Sequence, residues 1–414
     1  MVSELLLILT ALILAFICSQ LAKKIGLPRT VGEITAGLIL SIGVIKALVA
    51  TPETLGIFSF LANLGVILLF YYVGLETNFK TFRQNVKESI TISLLNTTLP
   101  LILGFLILHF LLHFDSLVSI ILGICLSVSA QAVSIDILEE LGLLKSKLGN
   151  RIITTGAVDD TIELILVSII LSIVHFSINS ISPLQLALNC LLFIAAAVLI
   201  RIFLLPPILK TFENKTNFSS TSRFMISLIL VFLIVVISET LDLGPFVGAI
   251  VAGAMVRQTI FTGKKIPFWE EHDMSKSIHI VAFGFLIPLF FVWVGMNTNF
   301  AQLLNIKDVL FILLLTGIAI VGTVGGTALA VKLNKGTWKE GFILGWGLNP
   351  KGDTELVIAA LALQTGIIQQ EIFSAVVLMS FITTIISPII FRKLLEKAKK
   401  EKLIATHTRS KNKA

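Results

Sequence analysis

Charged residues are scarce in this sequence: Asp, Glu, Lys and Arg make up only 14% of its 414 residues. Soluble globular domains carry about 25% of these residues. Hydrophobic residues account for 56% of the chain, and the mean hydropathy is +0.97. This composition excludes a soluble globular domain.

Short runs of alternating polar and apolar residues are also lacking, which excludes a transmembrane β-barrel. Apolar runs long enough to span a bilayer recur instead from one end of the chain to the other. The first run, residues 4–22, is preceded by no basic stretch and followed by Lys23 and Lys24. We therefore expect a retained helix there rather than a signal peptide, and an all-α polytopic membrane protein overall.

Cysteine is rare, and its placement predicts no metal centre. Cys18, Cys125 and Cys190 all lie in apolar runs and show no spacing typical of metal ligands. We expect them to be small core residues and the protein to need no cofactor.

Thirteen apolar runs qualify as membrane spans, and the distribution of basic residues orients them. The odd-numbered connections and the C-terminal tail hold nearly all of the 32 Lys and Arg residues, while the even-numbered connections hold only Lys46 and Lys307. By the positive-inside rule the N-terminus lies outside and the C-terminus in the cytoplasm of a cell-membrane protein. The net charge of +7 thus reflects topology and not nucleic-acid binding. The spans are residues 3–22, 29–46, 57–75, 89–112, 115–138, 152–175, 183–205, 224–240, 243–260, 277–297, 308–331, 338–363 and 372–391.

Two motifs recur in the same order in the two halves of the chain. Residues 70–79 match 291–300, and residues 27–40 match 243–256, each with six identical positions. The shift of seven spans is odd, so the copies run in opposite directions through the membrane. This predicts a transmembrane domain over residues 1–395 built as a six-plus-six inverted repeat. Its parts are repeat one at 1–180, a linker helix at 181–208 and repeat two at 220–395, followed by a basic cytoplasmic tail at 396–414.

The fifth and twelfth spans correspond to each other under this repeat, and both contain residues that interrupt helices. Span 5 carries Ser127-Val-Ser-Ala-Gln131 at mid-depth, and span 12 carries Gly345-Trp-Gly-Leu-Asn-Pro-Lys-Gly-Asp-Thr-Glu355. Proline removes an amide donor, and glycine tolerates irregular backbone. Interrupted helices at matching places in two repeats predict a transport site.

Two adjacent carboxylates, Asp159 and Asp160, lie inside the otherwise apolar sixth span. Each is expected to cost about 2.5–3.5 kcal/mol in a membrane, so a function or a partner must offset them. Successive helical residues point about 100° apart, which places one aspartate toward Lys351 and the other toward a wet cavity. A hard cation such as Na⁺ prefers oxygen ligands. We therefore expect Asp159 and Asp160 to bind it with the hydroxyl of Ser129 or Thr155.

Other charged and polar residues could serve this site. Lys351 is the predicted counter-charge of Asp159, although it could neutralise helix carbonyl ends or pair with Asp353 or Glu355 instead. Further candidates are Glu163, as a third site carboxylate or an access-path residue, and Gln131 as an accessory. We expect Glu33 to form only a local ion pair with Arg29.

Several stretches together resemble the second family of the monovalent cation:proton antiporter superfamily, with its Nap-type and Kef-type members, over residues 1–395. The resemblance implies a core domain that moves against a dimerisation domain, hence a homodimer. It also implies that Asp160 is the ion-binding aspartate and that Asp159 occupies the position that is Asp in electrogenic members. The stretches are Leu27-Pro-Arg-Thr-Val-Gly-Glu-Ile-Thr-Ala-Gly-Leu, Leu64-Gly-Val-Ile-Leu-Leu-Phe-Tyr-Tyr-Val-Gly-Leu-Glu, Ile137-Leu-Glu-Glu-Leu-Gly-Leu-Leu, Ala157-Val-Asp-Asp and Pro350-Lys-Gly-Asp.

The chain departs from this family pattern at two places. Electrogenic members are expected to carry a lysine in span 10, but residues 277–306 contain no Lys or Arg. The span 12 motif is usually Pro-Arg-Gly-Glu, whereas here Lys351 and Asp353 take the Arg and Glu positions. We also expect no nucleotide-binding domain of the kind that Kef-type members add.

These observations predict a secondary transporter that exchanges Na⁺ for H⁺ by alternating access, with the lipid bilayer as its surroundings. The alternatives are K⁺/H⁺ exchange by the same fold and, in another class, a cation channel. An intramembrane aspartyl protease needs two aspartates on separate helices facing one water, which adjacent residues on one helix do not provide. We therefore expect no enzyme.

Overall fold

The computed structural model describes most of the chain and shows only helices and their connections in that part. The described residues are 2–42, 51–76, 86–144, 146–156, 158–160, 162–163, 166, 183–205, 220–258, 276–300 and 305–400, and none of them lies in a strand. The all-α prediction is confirmed.

The described helices are numbered here in chain order. Among the described residues, π-helical segments follow α4 at Ile107–Leu111 and α8 at Ile200–Leu204, and another precedes α11 at Ala282–Leu286, itself preceded by helix at 276–281. The helices are α1 Val2–Lys24, α2 Arg29–Leu40, α3 Pro52–Glu76, α4 Val86–Leu106, α5 Ser116–Ser127, α6 Ala132–Glu140, α7 at 147–163 with gaps at 157 and 161, α8 Pro183–Leu199, α9 Ser220–Thr240, α10 Pro245–Val256, α11 Ile287–Met296, α12 Ile306–Leu333, α13 Trp338–Leu348, α14 Thr354–Gln364 and α15 Gln370–Lys400.

Every predicted span coincides with described helix, wholly or in part. Seven described helices are long and apolar enough to cross a membrane, from Ser3–Lys24 at the start to Gln370–Lys399 at the end. Four shorter apolar helices accompany them, among them Ser116–Ser127 and Thr354–Gln364, which are halves of the interrupted spans. Most of the second half of span 6 lies outside the described residues. The chain is a polytopic membrane protein.

Both predicted interruptions are present, and they touch each other. Helix α5 ends at Ser127 and α6 starts at Ala132, while α13 ends at Leu348 and α14 starts at Thr354. The amide of Ala130 in the first break donates a hydrogen bond to the carbonyl of Pro350 in the second, at 2.7 Å. An amide left unpaired by the first break thus bonds to a carbonyl left unpaired by the second. Irregular backbone inside a membrane requires such internal hydrogen bonds.

The chain divides into two compact units, each assembled from separate segments. One unit comprises Met1–Ala15, Ile42–Thr77 and Leu164–Trp293. The other comprises Phe16–Ser41, Asn78–Glu163 and Val294–Ala414, and it holds both interrupted helices and both aspartates. We call this second one the site unit. The predicted boundaries at residues 180, 208 and 395 stay predictions.

Glycine contacts in the two units show the inverted repeat in atomic detail. A Cβ atom on Gly74 would lie 2.3 Å from the carbonyl oxygen of Ile250, within the first unit. A Cβ atom on Gly295 would lie 2.2 Å from the carbonyl oxygen of Ile34, within the site unit. Gly74 and Gly295 are equivalent in the repeated motifs, as are Ile34 and Ile250. The same close approach between the two motifs therefore occurs twice. The Gly74 copy contacts the Ile250 copy, and the Gly295 copy contacts the Ile34 copy.

This close approach predicts a stability loss on adding one methyl group. Gly295→Ala should lower the free energy of unfolding by about 1–3 kcal/mol, because the new Cβ forces the two helices apart. The matched control is Gly317→Ala on α12, where a Cβ would meet nothing within 4 Å. That change should be neutral or stabilising by up to about 1 kcal/mol, the helix-propensity gain of alanine over glycine. Thermal unfolding in detergent compares the two, and equal melting temperatures would contradict this packing.

Candidate ion-binding site

Helix α7, which carries both aspartates, is anchored at its first turns by a partly buried arginine. Arg151 forms ion pairs with Glu88 near the start of α4 at 2.6 Å and with Glu340 in the first turn of α13 at 3.5 Å. Beside it, the Ser89 hydroxyl donates to the Thr154 hydroxyl at 3.1 Å. These contacts fix the depth of α7 between α4 and α13.

A glycine lets α7 approach the break between α5 and α6. A Cβ atom on Gly156 would lie 1.8 Å from Oε1 of Gln131, the last residue before α6. Any larger residue at position 156 would displace the Gln131 side chain. This glycine therefore makes room for the Gln131 amide beside Asp159.

Asp159 is fully buried and accepts hydrogen bonds from four neutral side chains. Its Oδ1 accepts from the hydroxyls of Ser93 at 2.7 Å and Thr97 at 3.0 Å. Its Oδ2 accepts from the amide groups of Asn96 at 2.9 Å and Gln131 at 3.0 Å. Four donors fill the acceptor sites of an ionised carboxylate. Among the described residues, neutral donors thus surround the Asp159 carboxylate and no cationic side chain forms an ion pair with it.

The orientation of the Asn96 amide is set by a further bond. Oδ1 of Asn96 accepts from the hydroxyl of Thr327 on α12 at 3.2 Å, so its NH₂ group faces Asp159. The two oxygens of Asp159 therefore differ chemically. The amide NH₂ groups at Oδ2 can only donate hydrogen bonds. The hydroxyls at Oδ1 can rotate, so they can accept a hydrogen bond from Asp159 when Asp159 is protonated at Oδ1.

Asp160 lies in different surroundings from its neighbour, as the angle between successive helical residues predicts. Its side chain is exposed, whereas Asp159 is 0% exposed. An exposed carboxylate can exchange ions with water, and a buried one can hold them away from it.

Glu163 and Ser129 contact each other at the break between α5 and α6. The Ser129 amide, freed by the interruption, donates to Oε1 of Glu163 at 2.6 Å, and both side chains are buried. The Ser129 hydroxyl also lies 3.5 Å from the Asn96 amide nitrogen that binds Asp159. Thr155 lies one turn before Asp159, and its buried hydroxyl has no hydrogen-bond partner among the described residues. Of the predicted ligands, Ser129 therefore lies next to the Asn96 amide that binds Asp159, and Glu163 lies next to Ser129.

Lys351 is buried at the helix break as predicted, but its contact is not the predicted one. Its Nζ donates to the carbonyl oxygen of Val128 at 2.5 Å. Within the described ranges, no ion pair within 4.0 Å joins Lys351 to Asp159, to the half-buried Asp353 or to Glu355. Asp159 is instead occupied by its four neutral donors, and the role of Lys351 as the counter-charge of Asp159 stays a prediction. The alternative reading, a cation on the carbonyl end of a broken helix, describes the geometry.

Two other charged residues, Glu33 and Glu355, have defined contacts. Glu33 pairs with Arg29 at 3.8 Å, which confirms the local ion pair. Glu355, considered as a partner of Lys351, is fully buried and accepts from the Ser380 hydroxyl at 2.7 Å.

The polar face of α4 was missed by the sequence reasoning. Ser93, Asn96 and Thr97 supply three of the four donors to Asp159. Their spacing of three and four residues places them on one face of a helix that is otherwise apolar. That stripe was the available signal, since a buried polar face in a membrane helix needs a partner.

An inverted-repeat bundle with two interrupted helices meeting beside membrane carboxylates defines a secondary transporter. The comparison with known families agrees with this class. Residues 8–397 match the family model described as sodium/hydrogen exchanger, transmembrane, and the chain belongs to that family. The family is one of transporters and not of enzymes.

Several characterised or named proteins are similar over nearly their whole length. The Na(+)/H(+)-K(+) antiporter GerN of Bacillus cereus is 26% identical, with 90% of this chain and 91% of that protein covered. The probable Na(+)/H(+) antiporter 3 of Methanocaldococcus jannaschii is 29% identical, with 92% and 93% covered. The structure of the sodium proton antiporter MjNhaP1 from M. jannaschii is 15% identical, with a TM-score of 0.64 and coverage of 95% and 98%. That structure supports the fold.

Proposed function

We propose that this protein exchanges Na⁺ for H⁺ across the cell membrane by alternating access. The observation that carries the proposal is the pair Asp159–Asp160 beside two interrupted helices that contact each other. Membership in the sodium/hydrogen exchanger family supports it. So do the names of its relatives in M. jannaschii and Enterococcus hirae, both Na(+)/H(+) antiporters.

In this mechanism Asp160 is the principal carrier, because its exposed carboxylate can reach ions in water. Asp159 is the second carboxylate of the site and contributes a buried negative charge. The hydroxyls of Ser129 and Thr155 complete an oxygen ligand set of the kind that a hard cation such as Na⁺ prefers. Glu163 and Gln131 hold the break of α5 beside the site. Na⁺ and protons compete for the same carboxylates, so the site changes sides loaded with one or the other.

Charge compensation limits how the site can move. Lys351 and Asp353 lie at the break between α13 and α14, where they balance charge while the backbone there is irregular. A loaded and neutralised site crosses the membrane more easily than a charged one, because moving a net charge into hydrocarbon is costly. This condition couples cation movement to proton movement.

Potassium is the second candidate cation. The relative GerN from B. cereus is named a Na(+)/H(+)-K(+) antiporter, and it covers 90% of this chain. K⁺ and Li⁺ would use the same oxygen ligands, so the assay must test all three ions.

The deciding experiment uses proteoliposomes loaded with a pH-sensitive dye. Gradients of Na⁺, K⁺ and Li⁺ are imposed separately, and the membrane potential is clamped at several values. We expect Na⁺ to drive proton movement that depends on the potential, because two carboxylates can carry more than one proton per cation. Movement driven by K⁺ alone would replace Na⁺ by K⁺ in the proposal, and no proton movement with any cation would overturn it in favour of a channel.

The same proposal includes orientation and assembly. The positive-inside distribution supports an external N-terminus and a cytoplasmic C-terminus in the cell membrane. Cysteines introduced at Ser116 and Lys332, both exposed, should react with an impermeant thiol reagent only from outside and only from inside, respectively. The family resemblance supports a homodimer, which native mass spectrometry from detergent would reveal as twice the 45.1 kDa chain mass.

A further inference from the structure

Lys351 has hydrogen-bonding capacity beyond its contact with the Val128 carbonyl. An ammonium group offers three N–H donors. One of them reaches the carbonyl oxygen of Val128 at 2.5 Å, and the side chain is 0% exposed. A buried ammonium is stable only with an opposite charge nearby, since its desolvation costs several kcal/mol. A carboxylate near Lys351 must therefore balance its charge.

Asp159 is poorly suited to this role. Both of its oxygens already accept two hydrogen bonds each, from Ser93 and Thr97 on one side and from Asn96 and Gln131 on the other. A carboxylate has about four lone-pair positions. A contact with Lys351 would have to displace one of these donors.

Glu355 has the opposite properties. It follows Lys351 by four residues across the same break and is 0% exposed. Its Oε1 accepts from Ser380, whereas its Oε2 is buried with no hydrogen-bond partner within the described part of the chain. The spare donors of Lys351 and the spare acceptor of Glu355 are complementary.

Helix α5 brings the two residues to one place. The Val128 carbonyl that holds Lys351 lies three residues after Cys125, whose thiol donates to the backbone carbonyl of Glu355 at 3.6 Å. Lys351 in the break and Glu355 in the first turn of α14 thus both contact residues near the end of α5.

We propose that Glu355, and not an aspartate of the ion-binding pair, is the counter-charge of Lys351. Ser380 holds the carboxylate and the Val128 carbonyl holds the ammonium, and within the described part of the chain no nitrogen–oxygen contact of 4.0 Å or less joins the two groups. Their opposite charges balance each other inside the site unit without a direct bond. The negative charges of Asp159 and Asp160 then remain available to the transported ions. Glu355 is a positioning residue in this account: it fixes where the positive charge of Lys351 lies and touches no ion itself.

A double-mutant cycle in the full-length protein tests the pairing. Lys351→Met and Glu355→Gln should each lower the melting temperature in detergent, because each leaves one buried charge alone. The double variant should melt above the less stable single variant, since it removes both charges. Lys351→Met combined with Asp159→Asn should show no such recovery. Recovery with Asp159→Asn and not with Glu355→Gln would overturn the proposal.

If the single variants fail to fold, a double variant with the two charged residues swapped still tests the pair. Lys351→Glu with Glu355→Lys restores one charge of each sign, whereas either reversal alone places two like charges together. We expect the exchanged variant to be recovered as folded protein at a yield that neither single reversal reaches. A yield no better than that of the worse single reversal would count against the pair.

Transport supplies a readout that a purely structural role would not change, and only this step rests on the proposed Na⁺/H⁺ exchange. Glu355→Gln leaves the Lys351 charge uncompensated near the carboxylates, so the Na⁺ concentration for half-maximal exchange should rise at least threefold. Glu355→Asp keeps the charge and should stay close to wild type. An unchanged half-saturation in Glu355→Gln would contradict the proposal. Absence of exchange in the wild-type protein would instead overturn the proposed function, leaving the melting cycle as the test of the pair.

Discussion

Replacing Asp160 by asparagine is expected to abolish Na⁺-driven proton movement while the protein still folds and inserts. The amide of asparagine neither binds a proton in the relevant pH range nor supplies a negative charge to a cation. Because the Asp160 side chain is exposed, its replacement disturbs little packing. Substitutions at exposed positions usually change stability by less than about 0.5 kcal/mol. The loss should therefore appear in transport and not in the melting curve.

Dye-loaded proteoliposomes measure the transport of this variant, and thermal unfolding in detergent measures its folding. The matched control is Glu371→Gln, which removes a negative charge at an exposed position in the first turn of α15. The control should exchange at the wild-type rate. Normal turnover in Asp160→Asn would sink the assignment of Asp160 as the carrier. A lowered melting temperature would assign Asp160 a structural role instead.

The interrupted helices could be predicted from sequence because their cause is local. Asn349 and Pro350 next to glycines cannot continue a regular helix, and the structure ends α13 at Leu348. The glycines of the repeated motif were equally informative. Gly74 and Gly295 recur at equivalent positions because each admits the backbone of another helix, a requirement that only the smallest residue meets.

The surroundings of the aspartates were predictable only in part. The helical angle between neighbours predicts that Asp159 and Asp160 face different ways, and one is indeed buried while the other is exposed. Which helix faces Asp159 depends on tertiary packing. The donors on α4 lie more than sixty residues before Asp159 in sequence. No local rule connects positions so far apart.

The partner of Lys351 illustrates the same limit. Sequence depth placed Lys351 and Asp159 near one level of the membrane, which favoured a pair. Depth does not fix direction around the helix axis, and at this depth Asp159 turns toward α4 while Lys351 turns toward the end of α5. The hydrogen-bond donors available to each group decide the pairing, and these are visible only once the helices are packed.

The hydroxyl face of α4 leads to the second large expected effect. Ser93→Ala combined with Thr97→Val removes both donors to Oδ1 of Asp159 and keeps the volume at position 97. A hydrogen bond to a charged group is worth about 1.5–3 kcal/mol, so the buried carboxylate loses much of its stabilisation and its fixed orientation. The Na⁺ concentration for half-maximal exchange should rise about tenfold or more, since each 1.4 kcal/mol corresponds to about a factor of ten.

The adjacent residue provides the control. Thr98→Val makes the same substitution one position along α4, where the hydroxyl donates only to the carbonyl of Leu94 in its own helix. That variant should keep the wild-type half-saturation, because its hydroxyl does not contact Asp159. If Thr98→Val and the Ser93/Thr97 variant weaken Na⁺ dependence equally, the effect belongs to α4 as a whole. If only the Ser93/Thr97 variant does, the hydroxyls at Oδ1 act through Asp159, and the polar stripe on α4 is part of the ion-binding site.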